Sequence, residues 1–171
     1  YGDHRDLHSF PTRRSSDLLI QYLCDKRKTP VLAVDADANS NLNEVLGVDV
    51  EMTLGEIRED VERSADGSTS KIPAGMSKAD YMEMMVNRCL IEDDDFDMLV
   101  MGRTQGKGCY CFVNGLLQAQ LAKLTPNYPY MVVDNEAGME HISRGILPKV
   151  DTIILVSDCS RRDVQIGRAH V

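Results

Sequence analysis

Four short stretches of this chain are apolar almost throughout: 31–35 (VLAVD), 96–100 (FDMLV), 130–134 (YMVVD) and 151–157 (DTIILVS). A strand with one wet face alternates apolar and polar residues, whereas a strand covered on both faces reads as a continuous apolar run. Such strands need helices above and below, and connections long enough to cross over. Each gap between these runs has room for a helix. The fold class that follows is α/β, a largely parallel sheet flanked by helices.

The segments between the runs fit that reading. Residues 19–28 (LIQYLCDKRK) read as the last turns of an amphipathic helix, with a basic end and Thr29-Pro30 to stop it. Residues 41–46 read as a short helix ended by Gly47, 53–61 as another, and 62–71 as a polar loop. Residues 78–90 (KADYMEMMVNRCL) have helical spacing, and Met82, Met84 and Met85 on it read as packing residues rather than ligands. The acidic run 92–95 with Asp97 reads as a solvated loop, because its spacing does not match a calcium-binding EF-hand. Residues 112–124 predict a helix ended by Thr125-Pro126, and Pro148 breaks the segment after 142–147.

A formal net charge of -8 disfavours nucleic acid as a partner. No apolar run approaches the roughly 20 residues that span a membrane, so no membrane association is expected. Five cysteines, scattered apart from one C-x-C, suit a reduced cytoplasmic protein better than a disulfide framework. The two ends obey none of this logic. Residues 1–18 (YGDHRDLHSFPTRRSSDL) lack apolar periodicity and read as the translation of a short-read sequencing adapter; residues 165–171 match the opposite adapter in frame. The native domain is therefore expected to be 19–164, cut at both ends, with His141 as its one histidine.

In an open parallel sheet, ligands bind beyond the carboxyl ends of the strands. Three strand ends here carry suitable groups: Asp35-Ala-Asp37-Ala-Asn-Ser-Asn41, Met101-Gly-Arg-Thr-Gln-Gly-Lys-Gly-Cys-Tyr-Cys111 and Asp134-Asn-Glu136-Ala-Gly138. Carboxylates ending neighbouring strands can hold Mg²⁺ through its waters, and a glycine beside them lets backbone approach a γ-phosphate. One such strand end is weak evidence, since Asp also caps helices; two in one chain favour phosphate and metal chemistry. Cys109 and Cys111 point the same way in an extended segment. Two thiolates fill half of a tetrahedral soft-metal site, which a second copy of the loop would complete. The plain alternative is a pair of cysteines in a glycine-rich loop. Arg103 and Lys107 read as solubility residues, and Glu140 with His141 as structural.

These residues resemble a known family. Residues 19–164 are similar to the deviant Walker A P-loop ATPases of the MinD, ParA and nitrogenase iron-protein class, through VLAVDADANSNL (31–42), YMVVDNEAG (130–138) and DTIILVSDCS (151–160). Within that class they resemble the CooC-type nickel-insertion accessory proteins of carbon monoxide dehydrogenase and acetyl-CoA synthase, through GCYC (108–111) and AGMEHISRG (137–145). The resemblance implies an ATP-dependent metallochaperone with ATP and Mg²⁺ as cofactors. Asp37 and Asp134 fall at its catalytic switch I and Walker B aspartates, and Gly138 at the switch II glycine. Asp35, Asp37, Asp134 and Gly138 would line the nucleotide site. Cys109 and Cys111 fall at the metal-binding C-x-C, which holds nickel or another soft divalent ion between the two subunits of a homodimer. ATP would close that dimer, and hydrolysis would release the ion to the client dehydrogenase or synthase.

One departure is large. The glycine-rich lysine loop, G-x-x-x-x-G-K-[ST], occurs nowhere in the chain, and adapter sequence stands where the resemblance would place it. Without that cradle the phosphates lose most of their binding groups, so poor ATP binding and an inactive fragment are expected. The strand that carries the loop would also lie inside the sheet, leaving an edge uncovered. Two other functions remain open on the same residues. One is an electron carrier with an iron–sulfur cluster bridging a dimer through the thiols. The other is a ParA- or MinD-like positioning ATPase, against which the acidic charge argues.

Overall fold

The structure, a computed structural model, describes residues 15–65, 71–103, 111–135, 145, 147 and 149–156. At its centre lies strand β1, Val31–Ala36, with all six residues buried. β1 runs parallel to β3 (Phe96–Val100) on one side and to β4 (Tyr130–Asn135) on the other. A two-residue strand, β2 (Ile91–Glu92), pairs antiparallel with β3, so the order is β2-β3-β1-β4.

The continuous apolar runs are explained by what covers each face. Val31 and Ala33 of β1, with Met98 and Val100 of β3 and Val132 of β4, pack under helix α1 (Ser15–Asp25) and the short α2 (Leu42–Leu46), through Ile20, Leu23 and Leu42. Leu32, Val34 and Ala36, with Leu99 and Met101, face the opposite layer of α3 (Leu54–Ala65), α4 (Lys78–Asn87) and α5 (Cys111–Leu124). Alternate residues of one strand thus enter two separate cores, as a period of two requires. Met85 is buried and Met82 partly so, while Met84 is exposed; methionine packs where its helix meets the sheet.

Four expectations need correcting. Helix α1 ends at Asp25, before the basic residues, because Arg27 adopts φ 52 and the Lys28 N–H closes onto the Leu23 carbonyl at 2.9 Å. α3 continues through 62–65, read above as loop, with Arg58–Glu62 and Arg63–Glu59 pairs at the i,i+4 spacing. The acidic run is a hairpin rather than a simple loop: Glu92 belongs to β2, and the Asp93 N–H donates to the Phe96 carbonyl at 3.1 Å. The fourth apolar run is not a strand over 151–156, and Ile153, Ile154, Leu155 and Val156 are 52–69% exposed. Apolarity fits a segment for a buried strand but does not supply the neighbour, and among the described residues β4 keeps an open outer edge.

Candidate functional site

The carboxyl ends of the three parallel strands meet at one edge of the sheet. Asp35 on β1 is the register partner of Asp134 on β4, and Val100 is its partner on β3. Residues in register share a face, and for Asp35 that face is the one covered by α1 and α2. Asp35 is fully buried and organises the turn that follows. Its Oδ1 accepts the Asp37 N–H at 3.1 Å, and its Oδ2 accepts the Leu42 N–H at 2.9 Å. The second bond satisfies a first-turn donor of α2, a task that the Asn41 side chain does not perform.

Asp37 folds the next step. Its Oδ1 accepts the Asn39 N–H at 2.8 Å, and its carbonyl accepts both the N–H and the hydroxyl of Ser40, which sits at φ 46. Asp37 and Asp134 are partly exposed, while Asp35 stays inside. Burial pushes the Asp35 carboxyl above its ordinary value; the two N–H bonds pull it back, and the negative charges of Asp134 and Asp37 push it up further. This gathering of carboxylates is of the kind that a hard divalent cation with its waters relieves. Asp35, expected to line the site, uses both oxygens to shape the loop.

The end of β3 joins the same edge. The Met101 N–H donates to the Asp35 carbonyl at 2.8 Å, and the Met101 carbonyl accepts the Gly55 N–H at 2.9 Å. Thr53 and Glu56 form a reciprocal capping box: the Thr53 N–H donates to Glu56 Oε2 at 2.8 Å, and the Glu56 N–H donates to Thr53 Oγ1 at 3.3 Å. Arg103 donates from Nη2 to Asn39 Oδ1, tying the β3 end to the β1 loop. Sequence reasoning gave Arg103 to solubility and overlooked Asn39, Thr53 and Gly55. The T-x-x-E spacing at 53–56 was the available signal for the cap; nothing local signalled the Asn39 contact, 64 positions from Arg103.

Cys111 opens α5, is exposed, and is disulfide-bonded. Cys109, Lys107, Glu136, Gly138, Glu140 and His141 lie outside the described residues. Among the described residues no group of three or more His, Cys, Asp or Glu is placed to hold a metal ion. Cys24 and Cys89 are free thiols, and burial pushes both up, Cys89 to about 12. Neither offers a thiolate at neutral pH. No helix among the described residues is long and apolar enough to cross a membrane.

No protein-family model matches the chain. It is 45% identical over 145 residues to a Methanocaldococcus jannaschii protein named as an uncharacterised ATP-binding protein, covering 85% of this chain and 56% of that one. A second protein of the same organism and description is 28% identical over 154 residues, 84% of this chain and 61% of the relative. The carbon monoxide dehydrogenase accessory protein CooC of Rhodospirillum rubrum is 25% identical over 142 residues, 79% of this chain and 54% of the relative. The chain thus spans little more than half the length of these curated relatives. Its sequence relatives are proteins named for ATP binding and for CooC, and its mostly parallel, helix-flanked sheet is an α/β architecture consistent with a P-loop nucleoside triphosphatase fold.

Proposed function

We propose that the protein is an ATP-dependent maturation factor of the CooC type, which delivers nickel, or another soft divalent ion, to carbon monoxide dehydrogenase or acetyl-CoA synthase. The observation that carries this reading is the pairing of Asp35 with Asp134 across neighbouring parallel strands, with Asp37 partly exposed beside them. In this reading Asp134 and Asp37 hold Mg²⁺ through water, and Asp37 also orients the attacking water. Asp35 keeps the loop folded so that Asp37 faces outward. ATP, when bound, supplies the free energy for switching between two states. Gly138 would approach the γ-phosphate. Cys109 and Cys111 would take the cargo ion as thiolates, the loop of a second subunit completing the set in a homodimer. The chain's relation to proteins named for ATP binding supports the nucleotide half, and its similarity to CooC supports the metal half.

The metal half is tested by titrating Ni²⁺ into the reduced protein and into its Cys109→Ser/Cys111→Ser variant. Thiolate-to-nickel absorption and metal-dependent dimerisation are expected in the first and lost in the second. Unchanged metal binding in the variant removes the thiol pair as the site. For the nucleotide half, calorimetry on the 171-residue chain, which has no G-x-x-x-x-G-K-[ST], is expected to show no ATP binding tighter than about 1 mM.

A further inference from the structure

The opposite edge of the sheet carries a feature that neither the nucleotide nor the metal reading uses. Where α1 and α2 end and β3 begins, a cavity of about 200 Å³ opens to solvent. Its apolar part is built from Ile20, which is buried, and from Leu46 and Phe96, which pack partly buried against the same core. Asp25, the last residue of α1, and Asp95, just before β3, line it and are exposed. The Cys24 thiol lines it too and donates to the Asp95 carbonyl at 3.8 Å. Burial, then the negative charges of Asp95 and Asp25, push that thiol above its ordinary pKa, so both carboxylates lie near one sulfur.

Among the described residues no ion pair engages Asp25 or Asp95. The neighbouring Lys26 lies over the Tyr22 ring instead, 5.6 Å from its centroid. Exposed Asp93 and Asp94 add negative charge to the same hairpin. A metal ion is not the matching occupant, since no group of three or more His, Cys, Asp or Glu among the described residues is placed to hold one. An apolar floor with an aromatic ring suits the methylene stem of a long cationic side chain, and carboxylates at the rim suit its head. We propose that this cavity docks an arginine side chain of a partner protein. A guanidinium fits better than an ammonium, because its planar fork meets two carboxylates, stacks on a ring and is more weakly hydrated. Docking here leaves the carboxyl edge of the sheet free.

Cys24 makes the cavity its own reporter. The test follows alkylation of Cys24 in the reduced 171-residue chain by a neutral reagent at mildly alkaline pH, read by mass spectrometry. The probe is an acetylated leucine–arginine–leucine amide in the millimolar range. Saturable protection of Cys24 is expected with this peptide and not with its citrulline or glutamate counterparts. Asp25→Asn and Asp95→Asn should each weaken protection about twofold to fivefold, the size of an exposed ion pair, and added salt should weaken it as well. Each rate is divided by that of the same variant without peptide, which cancels the effect of the lost charge on the thiol. Both aspartates are exposed, so the unfolding midpoints should not move. No protection by the arginine peptide, equal protection by the citrulline peptide, or protection unchanged in both variants overturns the proposal.

Discussion

A single buried carboxylate shows how burial and charge compete in this protein. Asp17, in the first turn of α1, is 1% exposed, and neither of its oxygens has a hydrogen-bond partner among the described residues. Its position near a helix N-terminus is worth at most about 1 kcal/mol, while leaving a buried polar group unpaired costs about 1–3 kcal/mol. The cost wins, so Asp17→Ala should raise the free energy of urea unfolding by about 1–2 kcal/mol; a loss of stability would show that the carboxylate is satisfied. Asp35 makes the opposite case, a buried carboxylate with two donors. Its folded pKa lies above the ordinary 3.8, so the folded chain binds this proton more tightly than the unfolded chain. Stability from this group is fully present below 3.8 and is lost as pH rises through the folded pKa. The stability of the parent chain minus that of Asp35→Asn should therefore shrink between acid pH and neutrality, measured by urea unfolding across a pH series. A difference that stays flat with pH would contradict the raised carboxyl.

Among the elements, two glycines on helices make opposite predictions. Gly55 in α3 is pressed against the Arg103 backbone, whereas a Cβ on Gly115 in α5 would meet nothing within 4 Å. Gly115→Ala should stabilise by about 0.4–1 kcal/mol, through lost freedom in the unfolded chain. Gly55→Ala should destabilise by about 1–3 kcal/mol, because backbone rather than a side-chain tip must move. Denaturant midpoints of the two variants should shift in opposite directions. Leu117, fully buried where α5 meets the sheet, should cost about 2–5 kcal/mol on truncation to Ala. The helix bounds show why sequence reading falters at ends. α3 ran past its expected stop because charged residues of 58–63 pair along the helix, and polarity alone does not distinguish such a face from a loop. α1 stopped early because a left-handed residue at Arg27 carries no signal in its type.

At the scale of the molecule, two features invite association: the outer edge of β4, unpaired among the described residues, and the exposed run 153–156. An unpaired strand edge and an apolar, β-branched segment favour association between chains. Ile154→Lys should lower light scattering and concentration-dependent sedimentation without moving the unfolding midpoint, since Ile154 is 58% exposed and contributes little to the core. Association unchanged in that variant would place the contact elsewhere. Much of this architecture was legible beforehand. Runs apolar on both faces admit few solutions other than a parallel sheet between helices, and strands β1, β3 and β4 fell within one residue of the runs at 31–35, 96–100 and 130–134. Asp35, Asp37 and Asp134 were legible as strand-end carboxylates because strand direction decides which end of a run a ligand meets. What only the tertiary structure decided is which groups touch. The alignment of Asp35 with Asp134 is a matter of register between strands about a hundred residues apart, and the Asn39–Arg103 clasp is one of loop geometry. Periodicity is local and survives in the order of residue types. Register and contact are properties of the packed chain, and no single segment contains them.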